Sequence, residues 1–106
     1  MNGELALVTS ELTWLECLTK PLADGNQHLE RLFRDFLGCR EMRLIPTDLA
    51  TWETAARLRA LGLRTPDALH AATALTESCD LFVTNDPVFR RVSELNVAVL
   101  SAVIDA

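Results

Sequence analysis

Two aspartates in this sequence stand where a carboxylate can do more than solvate a surface. Asp67 follows Thr65-Pro66. Thr65 is a good helix N-cap and Pro66 suits the first helical position, which puts Asp67 in the first turn. Asp86 closes the tripeptide Thr84-Asn85-Asp86, directly after the β-prone run Leu81-Phe82-Val83. In open α/β sheets, ligands bind at the C-terminal ends of the strands. A carboxylate at a helix start and another at a strand end can therefore meet at one rim. Such a pair suits a divalent cation, because hard cations take oxygen ligands. Each residue also has a plain structural reading. Asp67 would favour the helix dipole by charge alone, and Asp86 before Pro87 could cap a short helix. Thr84 and Asn85 either orient ligands or do ordinary turn chemistry. His70, one turn after Asp67, reads as a packed or surface histidine rather than a base.

The elements that must hold these residues can be read along the chain. Leu5 to Val8 is a short apolar strand. Ser10 caps a helix with Glu11 in its first turn. Leu12, Trp14, Leu15, Cys17 and Leu18 give that helix a broad apolar arc at about 100° per residue. Glu16 lies at the border of the arc, either as a salt-bridged edge residue or as a ligand. Lys20-Pro21 ends or kinks the helix, and Asp24-Gly25-Asn26 is a turn in which Asp24 or Asn26 can cap the next helix. Leu29, Leu32, Phe33, Phe36 and Leu37 form an amphipathic stripe on that helix, and Gly38 closes it. A second strand runs from Arg43 to Pro46. Thr47 or Asp48 caps a helix from Leu49 to Leu61, ended by Gly62, on which Trp52 is expected in the core. An Ala-rich helix from Pro66 to Ser78, the strand at Leu81–Val83, a short helix from Pro87 to Val92 and a strand from Asn96 to Leu100 complete the series. This β-α-α-β-α-α-β-α-β alternation implies an α/β fold with a mainly parallel sheet covered by helices on both faces.

TPDALHAATAL followed by CDLFVTNDPVF resembles the C-terminal half of a PIN domain, the nuclease fold of many prokaryotic toxin–antitoxin toxins. SELTWLECL resembles the helix on which that family places its catalytic Glu. The likeness runs from about Leu5 to Leu100. It implies a three-layer α/β/α fold and a metal-dependent, toxin-like ribonuclease. Glu16, Asp67 and Asp86 would be its catalytic residues and hold Mg²⁺ or Mn²⁺, with Thr84 and Asn85 orienting them. The implied partners are an RNA substrate and an antitoxin-like protein. The family, however, opens one unit earlier, with a strand that ends in an Asp. Here Met1-Asn2-Gly3-Glu4 stands in that place, so a PIN-like domain over residues 1–106 would lack the first β-α unit and one carboxylate. That missing strand lies mid-sheet in the family, between the strands matching Leu5–Val8 and Leu81–Thr84. Its absence would leave unpaired backbone groups, so either these strands close up on each other, another chain such as a second copy supplies the pairing, or the protein begins upstream. The enzymatic reading therefore stands beside a second one, a non-catalytic PIN remnant acting as an interaction or dimerisation module. A receiver-like or phosphatase-like domain built on Asp86 is disfavoured, because Lys20 is the only lysine.

Composition bounds these readings. The chain has 106 residues, 49% of them hydrophobic, enough for one real core. Charged residues at 24% argue against disorder. No apolar run is long enough to cross a bilayer and the start lacks a signal pattern, so the expectation is a soluble cytoplasmic protein. Cys17, Cys39 and Cys79 stand singly, as reduced structural thiols do. A net charge of −5 is not that of a general nucleic-acid binder. Yet nine of the ten basic residues are Arg, and Arg64, Arg90 and Arg91 flank the acidic positions. Arg57 and Arg59 read as solvated helix residues.

Overall fold

A computed structural model of the chain describes residues 6–100. The chain divides into two compact units, Met1–Pro46 and Thr47–Ala106. The fold is mixed α/β with parallel strand pairing, as expected, and each unit carries one two-stranded sheet.

In the first unit β1 (Leu7–Ser10) pairs in parallel with β2 (Met42–Ile45), Leu7 opposite Met42 and Ser10 opposite Ile45. Leu5, read as the start of this strand, lies outside the described residues. Ser10 ends the strand rather than capping the helix. It is 2% exposed, and the ladder continues past it through Glu11 N–H to the Ile45 carbonyl at 3.0 Å. Pairing to β2 thus overrides Ser10's capping preference, and Glu11 takes the cap position without a side-chain cap bond. Helix α1 (Leu12–Asp24) also runs through Pro21. The ring forfeits only the bond that its N–H would have made to the Cys17 carbonyl, and packing compensates, since Pro21 is buried with Leu18. The end comes at Gly25, left-handed at φ 66°, where Gly25 N–H reaches Leu22 O at 3.3 Å and Asn26 N–H reaches Pro21 O at 2.9 Å. Those two bonds are a Schellman closure.

Asn26, not Asp24, caps α2 (Gln27–Leu37), its Oδ1 accepting from Leu29 N–H at 3.0 Å. Helices α1 and α2 pack on each other, with the Arg34 guanidinium 5.5 Å over the Trp14 ring. The apolar arcs are wider than the unit can bury. Leu15, Leu32 and Phe36 stay more than half exposed, while Leu18 and Leu37 are buried.

The second unit begins with α3 (Leu49–Ala60), capped by Asp48, whose Oδ1 accepts from both the N–H and the hydroxyl of Thr51 at 2.9 Å. The backbone bond chiefly, and the hydroxyl next, hold the Asp48 carboxyl below the usual carboxylate range. Helix α3 packs on α4 (Thr65–Thr76) and buries Thr51, Ala55 and Leu58. Trp52, expected in the core, is 50% exposed, because the buried face is set by Thr51, Ala55 and Leu58. The turn from α3 to α4 is another Schellman closure. Gly62 at φ 101° donates to Arg59 O at 2.9 Å and Leu63 N–H reaches Leu58 O at 3.4 Å. Leu63 is fully buried.

Helix α4 buries Ala68, Leu69, Ala71, Ala72, Thr73 and Ala74. Small side chains allow neighbouring elements to approach it closely. It closes at Ser78, φ 54°, with Ser78 N–H to Leu75 O at 3.1 Å and Cys79 N–H to Ala74 O at 3.0 Å. Ser78 is the only non-glycine with positive φ among the described residues, a conformation costing about 1 kcal/mol outside glycine. β3 (Phe82–Thr84) then pairs in parallel with β4 (Val97–Val99), with a 3₁₀ helix (Pro87–Arg91) between them. None of the three cysteines is in a disulfide, and all are half-buried. Among the described residues no helix is long and apolar enough to cross a membrane.

Candidate functional site

Asp67 sits where the sequence places it, in the first turn of α4, but the cap is shifted by one residue. Arg64 holds the N-cap position with extended backbone (φ −71°, ψ 157°) and no side-chain cap bond, and Thr65 and Pro66 are the first helical residues. Arg64 O accepts the first helical bond from Ala68 N–H at 2.8 Å. Pro66 lacks an N–H at a position where the helix provides no partner for one, so nothing is lost. The remaining first-turn donors give this end a positive field. Asp67 is the only acidic residue in the turn and is half-buried beside that field.

Asp86 is held by the turn that it caps. Its Oδ1 accepts from Val88 N–H at 2.9 Å, and its own N–H donates to Thr84 Oγ1 at 3.1 Å. Thr84 is thus engaged in the turn, and Asn85 is exposed between the two. The cap occupies one carboxylate oxygen. Among the described residues Oδ2 has no partner, and the residue is exposed. Two further contacts keep this turn in place. The Phe82 and Phe89 rings lie 4.6 Å apart at 45°, clamping the 3₁₀ helix to β3. Asn96 Nδ2 donates to Asp80 O at 3.2 Å, tying the approach to β4 to the approach to β3.

Glu16 belongs to the first unit, exposed on α1. Burial chiefly, and the Glu16 charge next, push the neighbouring Cys17 thiol up, so it stays protonated at neutral pH. Asp67 and Asp86 both belong to the second unit, so neither unit alone contains all three carboxylates. Among the described residues no three His, Cys, Asp or Glu side chains gather within reach of one metal ion. A surface depression along α2, lined by Gln27, Glu30, Arg31 and Arg34, involves none of the five candidate residues.

Arg59 has a role that helical periodicity does not announce. Its Nη1 donates to the Leu63 carbonyl at 3.2 Å, across the α3–α4 turn that leads into Asp67. The legible signal was the pairing of an Arg in the last turn with a helix-ending Gly62, since last-turn cations bond terminal carbonyls.

Parallel strands, an acidic first turn after a Thr-Pro step and an aspartate just past a strand end describe an α/β chain with carboxylates at a helix start and beyond a strand end. The sequence matches the PIN domain family over residues 1–95, and the chain belongs to that family. PIN domains are generally nucleases and typically depend on a divalent metal. Neither a curated protein nor a solved structure gives a significant match.

Proposed function

We propose that this chain is a metal-dependent ribonuclease of the PIN type, with Glu16, Asp67 and Asp86 as its acidic residues and Mg²⁺ or Mn²⁺ as its cofactor. The observation that carries this reading is Asp86. Its carboxylate is exposed and fixed by its own turn, and one oxygen has no described partner. The donor set fits the cation chemically, being all carboxylate oxygen. Mg²⁺ in particular is usually bound through one or two protein carboxylates, with water and substrate phosphate completing the shell. Asp67 and Asp86 could serve as such a pair. A bound divalent cation would supply Lewis acidity and a water of lowered pKa for attack on the phosphodiester. The chain's part is to orient. The Val88 N–H fixes the Asp86 carboxylate, the Thr84 hydroxyl accepts from the Asp86 backbone N–H, and the first-turn donors of α4 set a positive field beside Asp67. A toxin-like role with an antitoxin-like partner rests on the likeness of the three sequence segments alone.

Calorimetric titration of the full chain with Mn²⁺ tests the reading. Binding that disappears in Asp67→Asn, joined to Mn²⁺-stimulated RNA cleavage lost in the same variant, is the expected outcome. Absence of Mn²⁺ heat from the wild type rejects it.

One observation favours the second reading, a non-catalytic module that pairs with its own copy. Helix α3 is apolar on two faces. One is buried on the α4 side, whereas Leu49, Trp52, Ala56 and Ala60 form an exposed stripe on the other. A face that meets its own copy must be self-complementary. Antiparallel pairing of two such stripes would place Glu53, now bonded at 3.4 Å to Arg57 of its own helix, beside the Arg57 of the other copy. Sedimentation across a concentration series should show a dimer that Trp52→Glu dissociates. A wild type that stays monomeric throughout removes this reading.

A further inference from the structure

We infer that the α3–α4 turn and the end of the 3₁₀ helix together form a phosphate-backbone site for single-stranded RNA, with Arg64 and Arg91 as its contacts. The inference deepens the ribonuclease reading and rests on it for the identity of the ligand. Its geometry comes from Gly62. A Cβ built on that residue would stand 3.3 Å from Arg91 Nη1, so the guanidinium lies against the bare backbone of the turn. Gly62 is left-handed at φ 101°, which favours glycine on backbone grounds as well. Leu63 is fully buried and pins the turn from inside, while the Arg59 guanidinium bonds its carbonyl at 3.2 Å. Arg64 follows at once, exposed on extended backbone at the N-cap of α4. Three arginines thus converge on one short turn, three residues before Asp67. The helix that brings Arg91 there is the one Asp86 caps.

Charge pairing points the same way. Arg34 and Arg57 are neutralised by Glu30 and Glu53 one helical turn away. Arg64 and Arg91 have no carboxylate partner among the described residues, and both are exposed. Unpaired guanidinium groups, that of Arg91 resting against the Gly62 backbone, offer the bidentate geometry that phosphate oxygens accept. The chain's acidic total does not weigh against this, because contacts with the backbone depend on local charge within about a Debye length of 8–10 Å. Both contacts are to phosphate, so the site would position the strand without choosing its sequence.

The experiment is fluorescence anisotropy of a labelled single-stranded oligouridylate with the full chain in EDTA, across a salt series. EDTA removes divalent metal and with it metal-dependent cleavage, so the result does not depend on a metal held by the acidic residues. The expected slope of log K against log salt becomes shallower by about 1.4 in the Arg64→Gln/Arg91→Gln double variant, about 0.7 for each lost phosphate contact. Affinity at low salt should fall roughly tenfold or more. Arg57→Gln, which removes a paired charge, should leave the slope unchanged. Thermal melts of the two variants should match the wild type, since none of these arginine side chains is in the core. An unchanged slope in the double variant overturns the inference. So does an equal loss in Arg57→Gln, which would mark diffuse attraction, or a wild type that does not bind. Failure of the ribonuclease reading would look different. Asp67→Asn would then leave metal heat or cleavage unaffected while the arginine-dependent slope persisted.

Discussion

Asp86→Asn should leave the stability of the chain unchanged and reduce Mn²⁺-stimulated RNA cleavage at least about 100-fold, more than the loss of a residue that only orients a metal ligand typically costs. The two effects separate because Asp86 has two jobs on two atoms. Capping uses Oδ1, which accepts from Val88 N–H at 2.9 Å. An asparagine amide oxygen performs that job as well as a carboxylate, since Asn and Asp rank together at N-caps. Metal binding uses charge, which asparagine lacks. Asp86→Ala removes both, and should lose the activity together with about 1 kcal/mol of stability. Thermal melts and a metal-dependent cleavage assay on the three proteins decide the matter. If Asp86→Asn cleaves like the wild type, Asp86 is only the cap of the 3₁₀ helix, and the acidic-site reading loses its main support.

Much of this architecture was legible because its signals are local. The strand at Leu81–Val83, the turn at Thr84-Asn85-Asp86 and the stop at Gly62 each follow from the preferences of a few adjacent residues. The structure shifts the strand by one residue, to Phe82–Thr84, and keeps the other two. The misplaced features are those settled by distant partners. Ser10 has the side chain of an N-cap, but pairing opposite Ile45 draws it into a strand. Thr65 differs from these, becoming the first residue of α4 with Arg64 in the cap position, a local shift of one residue. Proline's penalty at position 21 was read without the packing that offsets it. Trp52 illustrates a different limit. Helix α3 has apolar residues on both faces, so periodicity could not say which face is covered. The candidate site divides along the same line. The places of Asp67 and Asp86 on their elements were readable from neighbours. The approach of Arg91 to Gly62 joins residues 29 positions apart, and no local pattern encodes it.

Leu63→Ala should be the most destabilising single truncation in the second unit, at about 2–5 kcal/mol. Leu63 is fully buried, the bulkiest side chain so enclosed among the described residues. It is also the residue that completes the Schellman closure, two places beyond the last turn of α3, where an apolar contact back to the helix commonly forms. Its counterpart in that geometry, Leu58, is 3% exposed. Alanine keeps the backbone bonds from Leu63 N–H to Leu58 O and from Arg59 Nη1 to Leu63 O, so the loss is one of burial and cavity rather than of hydrogen bonding. A domain of ordinary stability has only about 5–15 kcal/mol to lose, so the change should be plain in urea. The midpoint should fall with the slope m unchanged. If the two units unfold in separate steps, the shift should appear only in the transition of Thr47–Ala106. A loss under about 1 kcal/mol would show that the turn tolerates a void there, and that Leu63 does not anchor it. The consequence reaches the surface. The same residue joins the Gly62 backbone against which Arg91 lies to the Arg64 that opens α4. A variant that still folds at low temperature should therefore also show a weakened salt-dependent grip on RNA.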